Sequence, residues 1–179
     1  MKLYVNLSLC VAALFVLVQA GATPASAETT AKDIKIAARA VAFMNNPPSG
    51  PSVAAIISDP ANAASKQEAE TIQSAMGSGL KAGKAKLTPA LVDVNTLDLG
   101  GAKVAFLTGG LGSHFEAIFS ATTAASVLSI STDMTCVNAG KCVVGIASSP
   151  KVEIVVSKAA RESAGIGFKS AFLMMVKER

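Results

Sequence analysis

Tryptophan is absent from this 179-residue chain, tyrosine and histidine occur once each, and cysteine occurs three times. Each shortage removes a class of function. Without Trp, and with Tyr4 as the sole Tyr, the chain lacks the aromatic faces on which single-stranded nucleic acids and sugars stack. One His and so few thiols do not make a tetrahedral zinc set, so no metal is expected. Charged residues are 16% of the chain, and Lys and Arg form no run. A nucleic-acid surface is therefore not expected despite the net charge of +4. There is no Gly-x-Ser-x-Gly, no His-Glu-x-x-His and no partner in sequence that completes a triad with His114. The chain reads as a non-enzyme without cofactors.

The N-terminus carries an export pattern. Lys2 is a positive start, Val5 to Val18 is mostly apolar, and Ala25-Ser-Ala27 is a small-x-small cleavage site. The apolar run is short for a membrane span. Leu9 before Cys10 does not suit a lipoprotein cysteine. Residues 1–27 are expected to be a signal peptide and 28–179 a single periplasmic domain, large enough for a real core. Loss of Lys2 takes the net charge from +4 to +3. Cys136 and Cys142 remain, and an even count in an exported chain predicts a disulfide. Asn138 and Gly140 between them are turn formers, so the bond would clip a tight loop worth about 2 kcal/mol. A redox switch is the alternative.

Periodicity predicts the elements. Thr30-Ala-Lys-Asp33 is a capping-box pattern, followed by Ile34, Ala37, Ala38, Val41 and Met44 at helical spacing. Three prolines and a glycine in Asn45–Pro51 end that helix. Val53–Ile57 is an unbroken apolar run, as in a strand buried on both faces. Ser65-Lys-Gln-Glu68 is a second capping box, opening a helix whose stripe is Ala69, Ile72, Met76 and Leu80. Strands follow at Leu87–Val94, Lys103–Leu107 and Val127–Ile130, with a helix over His114–Ala125. Lys141–Ile146 and Val152–Val156 read as an antiparallel hairpin. Ser157 caps a short helix, and Phe168–Val176 reads as a final one. The order implies an α/β three-layer sandwich in one domain, with a mainly parallel sheet and a C-terminal antiparallel hairpin.

In such sheets ligands bind beyond the carboxyl ends of the strands. Those ends are Ser58-Asp59, Thr108-Gly-Gly-Leu-Gly-Ser113 and Ser131-Thr-Asp133. Ser58, Asp59, Thr108, Gly109, Gly110, Ser113, His114, Thr132 and Asp133 are the candidate ligands for a small polar solute. The glycine loop lacks the Lys and Ser/Thr of a P-loop, and Phe115 stands where a dinucleotide fingerprint needs its third Gly. Ser113-His-Phe-Glu116 is itself a capping box, and Glu116 would repel an anion. At the other end, Phe168, Leu173, Met174 and Val176 belong to a segment apolar almost all round. It either packs in the core or docks a partner or a second copy of the chain.

The last third resembles the YfiR family of periplasmic proteins. The residues that carry the resemblance are Cys136-Val-Asn-Ala-Gly-Lys-Cys142, Lys151-Val-Glu-Ile-Val-Val156, Ser157-Lys-Ala-Ala-Arg161 and Gly165–Val176. Lys103-Val-Ala-Phe-Leu-Thr-Gly-Gly is similar to the family's central strand and loop. Val156-Ser157 stands where the family usually has Ile-Asn. The resemblance implies a regulator that binds the periplasmic domain of a membrane-bound diguanylate cyclase and so lowers cyclic-di-GMP. Ser58–Glu70, with its Asp59-Pro-x-Asn62, is similar to one lobe of type I periplasmic binding proteins, which implies small-solute binding instead.

Overall fold

The computed structural model describes residues 29–179, so the expected signal peptide lies outside the described residues. Helix α1 spans Ala31–Ala42 and starts as its sequence predicts. The Thr30 hydroxyl accepts the Asp33 amide at 3.3 Å, and Asp33 accepts the Thr30 amide at 2.8 Å. Ile34, Ala37, Ala38 and Val41 form its buried stripe.

Strand β1, Gly50–Ser58, lies inside the sheet. It pairs in parallel with β3, Ala85–Asp93, on one side and with β4, Val104–Leu107, on the other. Parallel pairing continues to β5, Leu128–Ser131, and β6, Val144–Ala147. Strand β7, Glu153–Val156, returns antiparallel to β6. Two short strands finish the edges: β2, Leu80–Ala82, and β8, Lys177–Glu178. The order is β2-β3-β1-β4-β5-β6-β7-β8.

Alternation along the central strands separates two cores, one on each face. Ala54, Ile56, Val104 and Phe106 face one side, under α1 and under α2, Ala63–Met76. Ala55, Ile57, Ala105 and Leu107 face the other. That side is covered by α3, Phe115–Ala124, and α4, Met134–Asn138, through Ile118, Cys136 and Val137. Burial on both faces explains the unbroken apolar strands, and the three-layer α/β expectation holds. Helix α5, Lys158–Ser163, is capped by Ser157, whose hydroxyl accepts the Ala160 amide at 3.2 Å.

Three local expectations are corrected. Helix α2 stops at Met76, not Leu80, because Gly77 and Gly79 take positive φ of 55° and 144°. That backbone is open to glycine and closed to a helix, and Leu80 instead begins β2. The final helix is one turn, α6, Ser170–Leu173, rather than Phe168–Val176. Main-chain bonds to the 43–45 corner compete with it: Gly167 O accepts Asn45 N at 2.8 Å, and Phe43 O accepts Lys169 N at 2.9 Å. Lys177 and Glu178 then join the sheet beside β7. Third, the expected hairpin forms, but its first arm begins at Val144 rather than Lys141, because Cys136 lies in α4 and residues 136–142 are a helix end and a turn.

Candidate functional site

Strands β1, β4 and β5 lie side by side and end at the same pole. The chain leaves β1 for α2 on one face and β4 for α3 on the other. Their exits therefore diverge, which is where α/β sheets open a ligand crevice. Here the crevice is filled by the protein's own polar groups. The Glu68 carboxylate, on α2 and 6% exposed, accepts the Gly109 amide at 2.6 Å. The same carboxylate accepts the hydroxyls of Thr29 and Thr132, which lie 2.7 Å from each other. Ser65 accepts the Asp59 amide at 2.9 Å, and its hydroxyl meets that of Thr108 at 2.6 Å. The fully buried Thr108 hydroxyl also reaches Ile57 O at 3.2 Å. The cavity against Thr29, Asp33 and Thr132 measures about 10 Å³, no more than one water needs.

Ser65 and Glu68 are free for this because they do not cap α2. Asn62 does: its Oδ1 accepts the amides of Ala64 and Ser65 at 3.1 and 3.3 Å. This corrects the expected Ser65–Glu68 box. One turn contained two cap candidates, and the earlier one won. Positions 65, 68, 69, 72 and 76 share one buried side of the helix. That spacing was the signal in the sequence that Ser65 and Glu68 point inward. Gly110, at φ 78°, lies close enough to Asn62 that a Cβ there would stand 2.7 Å from the amide nitrogen.

The side chains of the remaining predicted solute ligands take no part in this cluster. Asp59 accepts the Ala61 amide at 2.9 Å in a local turn. Asp133 caps α4 through the Thr135 amide at 2.9 Å. Ser58 and His114 are half-buried and Ser113 is exposed. The Ser113–Glu116 box is not formed: neither Ser113 nor His114 makes a side-chain cap, and Glu116 instead pairs with Lys141. The intervening 3-10 turn at Gly112–His114 displaces Ser113 from the cap geometry.

The expected disulfide is not formed: Cys136, held in α4, and Cys142, in the turn before β6, are two free, fully buried thiols. Burial pushes the Cys142 thiol well above its usual range, and a hydrogen bond with Cys136 adds to the rise.

The predicted docking segment divides. Phe168 is 5% exposed and packs on Phe172 with ring centroids 5.1 Å apart, so it is core and not a contact surface. Leu173 and Val176 are partly buried against the same core. Met174 is 82% exposed and Met175 67%. Beside them a groove of about 560 Å³ runs between α1 and the sheet edge. Phe43, Ile154, Phe172 and Val176 line it, with Lys32, Lys35 and Arg39 on the α1 wall. On α1 the apolar core stripe dominates the sequence pattern, so the cations of its other side are not among the expected contact residues. Lys32, Lys35 and Arg39 recur at i, i+3 and i+7, which places them on one face of the helix.

No protein-family model and no curated protein matches the chain. Solved structures do resemble it. One is a conserved domain protein from Vibrio cholerae O1 biovar El Tor str. N16961, at TM-score 0.60 and 13% identity. Another is an ABC domain in complex with L-Trp from Streptococcus pneumoniae, at TM-score 0.58 and 11% identity. Each match covers 83% of this chain and 59% of the other. At such identities the likeness establishes the fold, and this chain spans little more than half the length of either neighbour.

Proposed function

We propose that this chain is an exported, non-catalytic regulatory protein that docks on the periplasmic domain of a membrane-bound signalling protein, of diguanylate cyclase type, and inhibits it. The observation that carries the reading is the exposure of Met174 and Met175, side by side, next to the buried Phe172. Adjacent exposed methionines form an adaptable apolar contact surface, and their neighbours anchor it rigidly to the core. The resemblance to the YfiR family supplies the class of partner. The test is cellular cyclic-di-GMP in a deletion strain complemented by the parent or by Met174→Glu/Met175→Glu. Deletion should raise the nucleotide, the parent should restore it, and the folded double variant should not. An unchanged level on deletion would sink the partner class. Full complementation by the variant would sink the docking face.

A second reading is small-solute binding, favoured by the neighbour that holds L-Trp. It would draw on Ser58, Ser113 and His114 and on the second carboxylate oxygen of Asp59, whose Oδ1 accepts the Ala61 amide, since Thr108, Gly109 and Thr132 already bond in the buried cluster. A thermal-shift screen of amino acids and other polar solutes tests it. A stabilising solute whose effect is lost in Asp59→Ala would favour this reading over the first.

A further inference from the structure

We propose that the groove between α1 and the edge of the sheet binds a single-chain anionic amphiphile, a long-chain fatty acid in its carboxylate form. Its volume, about 560 Å³, lies within the range of small-molecule sites, which are mostly apolar with a few polar groups that orient the ligand. Phe43, Phe172, Ile154 and Val176 supply the apolar wall. The only charged groups lining it are Lys32, Lys35 and Arg39, all positive. Lys35 and Arg39 also border a second depression, of about 280 Å³, which adds Lys81. A ridge of cations thus follows α1.

These charges are not spent on the protein itself. Among the described residues the ion pairs use Lys141, Arg161 and Lys177, and none uses Lys35 or Arg39. Lys32 donates to Ser148 O at 3.0 Å, which leaves its charge uncompensated. The acids adjacent in sequence to lining residues point elsewhere. Asp33 is buried in the capping box. Glu153 precedes the lining residue Ile154 in β7, so strand alternation turns it to the opposite face, where it pairs with Lys177 at 2.7 Å.

The chemistry of the wall selects among occupants. An extended peptide could pair only with the two residues of β7, Glu153 and Ile154, that β8 leaves open, and its remaining backbone groups would face apolar and cationic side chains. A helix, about 10 Å across, would exhaust the volume in little more than one turn. A second copy of the chain in a two-fold arrangement would set cations against cations. An acyl chain has no polar group along its length, and each buried methylene contributes to binding. Its carboxylate is the group that Lys35 and Arg39 would hold by charge-assisted hydrogen bonds.

The test is equilibrium dialysis of hexadecanoate, kept below its aggregation concentration, against the purified protein alone. No signalling partner is involved, so the outcome is independent of the docking reading. Saturable binding of one hexadecanoate per chain is expected. Hexadecyltrimethylammonium, with the same chain and the opposite charge, should bind at least about tenfold more weakly, the effect of losing one or two ionic contacts. Lys35→Glu/Arg39→Glu should lose the preference while keeping the parent's thermal midpoint. Should the reversal disturb folding, Lys35→Gln/Arg39→Gln should show the same loss. Equal affinity for the two amphiphiles, or no saturation, overturns the proposal. So does sedimentation with phosphatidylglycerol vesicles in the absence of hexadecanoate binding, which would assign the face to a membrane surface. Tighter binding of an acidic amphipathic model peptide to the same residues would assign it to protein and overturn it as well.

Discussion

Glu68 and Gly109, 41 residues apart in sequence, meet in one buried hydrogen bond of 2.6 Å. The bond ties the first turns of α2 to the loop after β4, across the place where the exits of β1 and β4 diverge. It puts a carboxylate where a ligand's own anionic group would sit in a sheet of this kind, and gives it the donors such a group would seek: one loop amide and two hydroxyls. The pole has become a structural joint.

Truncation of that joint should destabilise the fold. Glu68→Ala leaves the buried Gly109 amide and the Thr29 and Thr132 hydroxyls short of an acceptor. An unsatisfied buried donor costs about 1–3 kcal/mol. A loss of about 2 kcal/mol lowers the unfolding midpoint of a domain this size by roughly 4–8 °C. Calorimetry checks it, and an unchanged midpoint would mean that the pole is solvated and open.

Thr108 and Gly109 are consecutive, and each is held from α2, by Ser65 and Glu68 respectively. Thr108→Val keeps the shape and removes the hydroxyl that joins Ser65 to Ile57 O. Alone it should cost about 1–2 kcal/mol. Combined with Glu68→Ala it should not add, because both changes release the same loop. A coupling of about 0.5–3 kcal/mol is expected from a double-mutant cycle in urea. Strict additivity would show two independent contacts.

The layer order was legible because buried parallel strands leave unbroken apolar runs, as in Val53–Ile57 and Val104–Leu107. The joint was not, because capping is a contest between neighbours. Asn62 and Ser65 both suit a cap, and only the packing of Glu68 against the next layer decides which one serves. The C-terminal segment misled for a related reason. A run apolar on every side has no helical phase of its own, so the Phe43–Phe172 stack at 5.4 Å and the Met44–Phe168 pairing set its path instead. The groove was barely visible: of its C-terminal lining only Val176 stood among the expected contact residues, and the cations of α1 stood outside them.

The thiol pair gives the fold an alkaline limit. Burial, then the contact with Cys136, raises Cys142 above its unfolded value. The unfolded chain therefore ionises first as pH rises. Stability from this group is fully present below the unfolded thiol value, about 8.5, and is lost as pH climbs through the raised folded value. Urea midpoints should fall above about pH 8.5 in the parent and fall less in Cys142→Ala, compared with each protein's own value at pH 7. Parallel pH profiles would place the alkaline sensitivity elsewhere.

Phe172 and Met174 stand two residues apart and should respond in opposite ways. Phe172 is 3% exposed, stacks on Phe43 and packs tilted against Phe168. Phe172→Ala opens a cavity in the layer under α1 and should cost about 3–5 kcal/mol, or roughly 6–20 °C in midpoint. Met174, 82% exposed, touches little that folding depends on, so Met174→Ala should stay within about 0.5 kcal/mol of the parent. Thermal unfolding of the two single variants separates anchor from surface. A large loss in Met174→Ala would mean that its side chain packs in solution, and the proposed docking face would lose its most exposed contact. A stable Met174→Ala leaves that residue free to be read for binding alone. A fall in partner inhibition by the same variant could then be assigned to the interface rather than to the fold.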